Sequence, residues 1–366
     1  MIERWISRRR FLSQAARAAG AGVLSPVLVT FGDPRTARGA ESIALTLPWI
    51  PEGEVAFMYV AQAKGFWKKR GLDVSITRGY GSGEASKTVG LGQYHYGQAD
   101  AGVMIKAAGE GLPLISIAMV NQRSPVCIVS RKESNIQKPK DLEGKRVGDS
   151  AQSGSNVLWP AFARANGIDL NSIKRVIVSP DLTIQALRKG DIDAVGSFYQ
   201  SSAPYLWADK VPFNIMLYAD HGLDIYSLTF ITQQDRARKS SDQVRRFVEG
   251  AMEGLKFSYL NPTETLDVFV EAVPESGKTP RDREISMHSM WINTALGMGD
   301  DVAQRGLGWH NREKMAATLD VVNKYMGLKK TVPVETLFTN DFAGTVKLSA
   351  AEWKSVRERA KTYLTG

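Results

Sequence analysis

From Ile43 onward the chain alternates short β-type runs with helical patterns, and that rhythm confines it to an α/β architecture whose sheets are covered on both faces. Ile43–Leu47 reads as a strand. After Pro48-Trp49-Ile50-Pro51, the stretch Glu54–Lys69 sets Ala56, Val60, Ala63 and Trp67 on one helical stripe, and Gly71 ends it. Strands follow at Leu72–Ile76, Ala99–Val103 and Leu114–Val120, with a short helix at Glu84–Leu91. The pattern then repeats without a detectable sequence repeat. Strands are expected at Val126–Ser130, Lys145–Gly148, Arg175–Val178, Ala194–Phe198, Ile215–Tyr218 and Leu228–Thr232, with helices at Asn156–Ala165 and Leu182–Lys189. Parallel pairing through helical crossovers is the expected connection.

Beyond Gln233 the character becomes helical. Ser240-Ser241-Asp242-Gln243 and Ser349-Ala350-Ala351-Glu352 read as capping boxes, and Asn261-Pro262-Thr263-Glu264 as a cap followed by a first-turn proline. The apolar faces of these helices need cover, most simply from the first lobe.

The N-terminus carries Ser7-Arg8-Arg9-Arg10-Phe11-Leu12, which resembles a twin-arginine export signal, followed by a weakly apolar Ala15–Val29 run. Processing is expected near Ala37–Ala40, which makes 1–40 a signal peptide. Those forty residues hold seven basic and two acidic side chains, so their removal lowers the net charge from +9 to +4. So mild an excess argues against a nucleic-acid partner. No later stretch reaches membrane-spanning length, and no cysteine follows the leader to take a lipid. A protein free in the periplasm, acting as a monomer, is the expectation.

Catalytic patterns are scarce. The single Cys127 lies in the apolar run Val126–Val129 and reads as buried filler. The chain has no His-Glu-x-x-His, Cys-x-x-Cys, Gly-x-Ser-x-Gly or lysine-bearing phosphate loop, and His95, His221, His288 and His310 lack ligand spacing. No catalytic residue, cofactor or metal is expected. What stands out is a set of loops placed just after strands, where an open α/β sheet presents its ligand crevice. Trp49 follows the first strand, and Gly81, Ser82, Gly83 and Glu84 follow the second and open a helix. Ser153, Gly154 and Ser155 sit between a later strand and helix, Phe198-Tyr199-Gln200 at a strand end, and Asp224 and Tyr226 near the return crossing.

The run Trp49-Ile50-Pro51, Tyr59-Val60-Ala61, Gly65-Phe66-Trp67, Gly71–Val74, Gly81-Ser82-Gly83, Gly92-Gln93 and Ala99-Asp100 resembles periplasmic solute-binding proteins of ABC importers. The similarity is to the family of thiamine-pyrimidine-precursor binders, related to sulfonate and nitrate binders. It continues diffusely through Asp141–Gly148 and the Asn261-Pro262 helix start.

The resemblance implies a type II binding-protein fold: lobe 1 from 41–128 and 229–366 with the C-terminal helices, lobe 2 from 129–228, joined by two crossing strands. It implies capture of a small planar aromatic or heterocyclic metabolite and its delivery to a permease with its ATPase. By position, Trp49 and Tyr199 would sandwich the ligand, while Glu54, Glu84 and Asp224 would offer polar contacts. Ser82, Gly83, Ser153, Gly154 and Ser155 would supply donors, and Arg123 would pair with a ligand anion or remain a hinge-surface charge. Where the pyrimidine binders carry Asn and His this chain has Glu52, Glu54 and Val55, and Phe57 replaces a small residue. The ligand therefore stays open between a pyrimidine precursor and a flavin-like ring. A sulfonate, nitrate or other organic anion is the alternative, as is a pyrimidine-synthase-type enzyme, although such synthases use a cysteine-rich segment that Cys127 cannot reproduce.

Overall fold

The computed structural model describes residues 39–363; the twin-arginine motif and the expected processing site up to residue 38 lie outside them. Among the described residues ten strands form two five-stranded sheets. The first contains β1 (Glu41–Thr46), β2 (Leu72–Thr77), β3 (Tyr96–Asp100), β4 (Leu114–Met119) and β10 (Leu228–Gln233), in the order β2-β1-β3-β10-β4. The second contains β5 (Val126–Arg131), β6 (Arg146–Asp149), β7 (Lys174–Ile177), β8 (Ala194–Phe198) and β9 (Phe213–Leu217), in the order β7-β6-β8-β5-β9.

Pairing is mixed rather than parallel throughout. β1 runs parallel to β2 and β3, and β6 to β7 and β8, each through a helical connection. β10 is antiparallel to β3 and β4, and β5 is antiparallel to β8 and β9. The cause is topological: β5 and β10 are the strands that arrive from the other sheet, so no crossover helix sets their direction.

Both crossings are pinned. Asn121 Nδ2 donates to Asn293 Oδ1 at 2.8 Å, and Ser227 Oγ to Asp100 Oδ2 at 3.0 Å. Asp100 also caps the helix Ala101–Gly109, accepting from the backbone N–H of Gly102 and Val103. The strand expected at Ala99–Val103 therefore ends at Asp100, because the aspartate turns the chain into a helix there. Likewise the helix expected over Glu54–Lys69 stops at Ala63, since Gly65 takes a left-handed φ of 69° and closes the turn. Ala63 is consequently exposed, off the stripe.

The first core is organised by the helix Ser241–Leu260, which lays Val244, Phe247, Val248, Ala251 and Leu255 onto the sheet. Phe247 lies between Trp67 (5.6 Å, 7°) and Tyr96 (3.9 Å, 6°) in a three-ring stack. A Cβ on Gly250 would sit 2.3 Å from the Trp67 ring, so glycine lets helix and ring meet.

Ser240 makes no side-chain cap, contrary to expectation, because Gln234–Lys239 runs almost directly into the long helix. Ser349 with Glu352 does form its box. The C-terminal helices are not confined to the first sheet: Pro280–Leu296 packs along Tyr199–Ala208, and Ile292 and Leu296 join Cys127 and Tyr199 in the second core. Among the described residues no helix is long and apolar enough to cross a membrane.

Candidate functional site

Between the sheets lies a cavity of about 760 Å³ including its mouth. Strand-end loops build it, as the C-terminal edges of an open α/β sheet require. From the first sheet come Pro48-Trp49-Ile50, Glu52, Glu54 and Ser82, with Leu228 at the return crossing. From the second come Asp149, Ser153-Gly154-Ser155, Asp181, Ile184, Phe198, Ser201 and Tyr205.

The polar wall is acidic. Among the described residues lining the cavity there is no lysine or arginine, whereas Glu52, Glu54, Asp149 and Asp181 all face it. Glu54 is held by Ser289, whose Oγ donates to Oε2 at 2.9 Å, while its own N–H donates to the same hydroxyl at 3.1 Å. Burial pushes the Glu54 carboxyl up to about 7. Glu52 is raised well above the usual carboxylate range, first by burial and then by the neighbouring Glu54. Its Oε1 accepts from Tyr205, and its Oε2 has no hydrogen-bond partner among the described residues.

Asp149 ends β6. Its Oδ1 accepts from the Ser150 N–H (2.8 Å), from Ser155 Oγ (3.1 Å) and from Ser153 Oγ. Oδ2 has only Arg175 Nη2 at 3.7 Å behind it. Burial raises this carboxyl to about 6, against the lowering pull of Ser153, Arg175 and Ser155. Gly196 makes room for it, because a Cβ there would lie 2.0 Å from Oδ2.

The lobes touch across the cavity rim. The Gly83 N–H donates to the Gln152 carbonyl at 3.0 Å, Arg78 Nη2 to Asp181 Oδ2 at 2.8 Å, and Tyr205 to Glu52 at 3.1 Å. Gly81 approaches so closely that a Cβ would stand 2.0 Å from the Gln152 oxygen, at a φ of 134° that side chains disfavour.

Of the sequence-expected residues, Trp49, Glu54, Ser82, Ser153, Gly154 and Ser155 are brought together in the cavity. Ser82 has a second duty, accepting from the Asp100 N–H at 3.0 Å. Gly81 and Gly83 serve the inter-lobe contact at the rim. Six residues are placed elsewhere. Tyr199 does not face the cavity: it turns into the second core, edge-on to Trp207 at 5.8 Å, and Phe198 lines the cavity instead. Successive residues at a strand end point to opposite sides, so the pair had to be split one way or the other. Phe57 is fully buried, edge-on to Phe230 at 6.1 Å, because it lies on the core face of its helix.

Glu84 bends back to accept from the Tyr80 N–H at 3.1 Å and lies outside the lining. Arg123, Asp224 and Tyr226 share a separate groove beside the crossings, where Arg123 faces Asp220 at 3.4 Å and Tyr226 OH accepts from the Asn311 N–H at 2.8 Å. Residues not singled out from the sequence are Asp149, Asp181, Ile184, Ser201, Tyr205 and Leu228. For Asp149 a signal existed, since it ends a strand four residues before Ser153.

Cys127 is fully buried in the second core, its thiol raised by burial. His310 is equally internal, lowered to about 4 by burial and bonded to Ser116 and Asn340.

A family model described as NMT1/THI5 like matches residues 52–265. The chain is 22% identical over 319 residues to the riboflavin-binding protein RibY of Chloroflexus aurantiacus, covering 84% of this chain and 88% of the relative. It is 25% identical over 247 residues to the 4-amino-5-hydroxymethyl-2-methylpyrimidine phosphate synthase of Legionella pneumophila, covering 66% and 77%. In structure it is similar to the alkanesulfonate-binding protein SsuA of Xanthomonas axonopodis pv. citri, with a TM-score of 0.62, 15% identity, and 83% and 99% of the two chains covered. The fold is thus the two-lobed one of periplasmic binding proteins.

Proposed function

The chain belongs to the NMT1/THI5-like family, and from that premise we propose that it is the substrate-binding component of an ABC uptake system, capturing a small planar heterocycle between its lobes. The observation that carries this is the cavity itself: strand-end loops of both sheets converge on it, Trp49 and Phe198 contribute aromatic faces from opposite lobes, and three contacts clasp its rim. A pyrimidine precursor or a flavin-like ring suits such walls. The charged residues of the lining are all acidic, which disfavours the sulfonate or nitrate alternative, since a ligand anion would meet carboxylates and no lining cation.

On this reading the two sheets are the cores of two lobes, 41–128 with 229–366 and 129–228, the exchange falling at the crossings. Export to the periplasm, action as a monomer and hand-over of the ligand to a permease with its ATPase complete the proposal. Binding without turnover is favoured over the synthase reading because Cys127 is buried in the second core and is not among the residues lining the cavity.

The test is a melting-temperature screen of the purified chain against flat heterocycles and organic anions, with mass spectrometry of whatever denaturation releases. Binding at a hundredfold excess over Kd stabilises by about 2.7 kcal/mol. A shift from flat rings and none from anions is expected; silence from all rings sinks the reading, and turnover of a bound ring would revive the synthase.

A further inference from the structure

The two crossings, residues 120–125 and 222–227, are not free ribbons. The helix Arg312–Met326 holds both of them through its first turns. From the second crossing the Tyr226 N–H donates to Thr318 Oγ1 at 3.0 Å, and the Tyr226 hydroxyl accepts from the N–H of Asn311, the helix cap, at 2.8 Å. Lys314, spaced between those two anchors, reaches the first crossing as well. Its Nζ donates to the Gln122 carbonyl at 2.6 Å while lying 3.9 Å from Asp224 Oδ1 and 5.4 Å from the centre of the Tyr226 ring. One ammonium thus serves both strands. Lys314 and Asp224 are 31% and 68% exposed, so their ion pair is weak, and the charge-assisted bond to the carbonyl carries the tie.

The same helix belongs to both halves of the molecule. Met315, Leu319 and Val322 enter the core beside β3, β4 and β10, whereas Val321, Tyr325 and Met326 pack against the second core next to Gly154–Ala165. That neighbouring helix lines the cavity at its start, through Ser153, Gly154 and Ser155.

Two strands that bend independently let one lobe twist as well as swing against the other. The rim does not tolerate twist, because Gly83 must meet Gln152, Arg78 must meet Asp181 and Tyr205 must meet Glu52 in one movement. Tying the strands together leaves a single axis and removes orientations that capture would otherwise have to lose.

We propose that Lys314 is a positioning residue for capture: by joining the two crossings it makes them bend as one hinge, and so sets how readily the lobes meet over the cavity. This rests on the cleft reading above and concerns its control, not the identity of the ligand.

The test measures lobe separation without any ligand. Spin labels at L91C in the first lobe and L170C in the second take exposed positions outside the cavity and the crossings, and Cys127, the single native cysteine, is buried. Pulsed dipolar spectroscopy of the full chain then gives the distribution of distances between the lobes. K314M keeps the length of the side chain and removes its charge and donors. It should widen the distribution about 1.5-fold and deplete its short end about threefold, with the melting temperature nearly unchanged. K314R, whose fork can serve Gln122 and Asp224 together, should restore the wild-type width. K314Q, which keeps one uncharged donor, should widen it to a lesser degree and is the second variant should K314M fold poorly. An unchanged distribution in K314M and K314Q, or one equally widened in K314R, overturns the proposal. A flat ring that binds the wild type in the screen should bind K314M about threefold more weakly, in proportion to the lost short-end population, and equal affinity overturns the link to capture. If no ring binds, the cleft reading fails, while the distance distribution still decides the role of Lys314.

Discussion

The Tyr205 hydroxyl donates to Glu52 Oε1 over 3.1 Å, joining a helix of the second lobe to the loop that follows β1 in the first. The bond spans the cavity wall, so it can form only when the lobes are together. The Glu52 charge raises the Tyr205 phenol well above its ordinary range, which keeps it a donor at any physiological pH. Y205F should therefore remove the inter-lobe hydrogen bond to the buried Glu52 carboxyl and favour the open form. Affinity is expected to fall by about 1–2 kcal/mol, chiefly through faster ligand release, because the bond forms after encounter. Stopped-flow release with calorimetry checks this; an unchanged off-rate would remove the bond from the closure mechanism.

Trp49 and Tyr199, which sequence reading pairs as two sides of a sandwich, should respond to substitution in opposite ways. Trp49 is half-buried in the cavity lining, so W49A should weaken binding about tenfold while hardly moving the unliganded melting temperature. Tyr199 is 8% exposed within the second core, so Y199A should destabilise the fold by about 3 kcal/mol. F198A belongs with W49A in this scheme. Parallel melting curves and titrations of the three variants separate the roles.

Glu54 and Asp149 give stability a pH dependence of unusual sign. Folding raises both carboxyls, from 4.5 to about 7 and from 3.8 to about 6, so between those limits the folded state binds more protons than the unfolded chain. Stability from these two groups is therefore greatest in acid and declines as pH rises from about 4 to about 7, at up to about 1.4 kcal/mol per unit for each group. Surface carboxylates such as Asp141 and Glu143, which are lowered on folding, oppose the trend. The difference between wild type and variant isolates the effect. E54Q and D149N should gain stability relative to wild type at pH 7 compared with pH 4; a constant offset across that range would contradict the assignment.

How much of this was legible in the sequence follows from what each residue's neighbours are. The strands and the loops after them could be read because their signals are local: alternation, glycine, and the capping box at Ser349. The antiparallel entry of β5 and β10 could not, since direction there depends on which sheet the chain has just left. At the site, Trp49, Glu54 and the Ser153–Ser155 run were visible by position, whereas the choice of Phe198 over Tyr199 turned on one residue of register. Tyr205 and Ser201 sit on a helix that packs against Pro280–Leu296, and nothing within their own segment marks them as cavity wall. Arg123 and Asp224 look like ligand contacts because they lie at the crossings, but a crossing has two sides and theirs faces the other groove.

The last relationship concerns Gly81. A methyl group there would stand 2.0 Å from the carbonyl oxygen of Gln152 in the opposite lobe, and the backbone φ of 134° already disfavours a side chain. The clash exists only while the lobes are together, whereas the backbone strain persists in either state. G81A should therefore lower the unliganded melting temperature slightly, by the cost of strain of about 1–2 kcal/mol, and in addition shift the population toward an open form. If closure is required for tight capture, the apparent Kd rises in inverse proportion to the closed fraction, and a tenfold loss of that fraction gives a tenfold weaker Kd. Small-angle scattering should report a larger radius of gyration for G81A that ligand reverses only at higher concentration. G83A tests the neighbouring contact with less strain, since its Cβ would meet the flexible end of the Gln152 side chain at 2.7 Å and the Gln152 carbonyl oxygen only at 3.2 Å, and its N–H would still be able to bond. It should therefore bind nearly as wild type, and a G83A defect as large as that of G81A would show that the loop, not the lobe contact, governs capture.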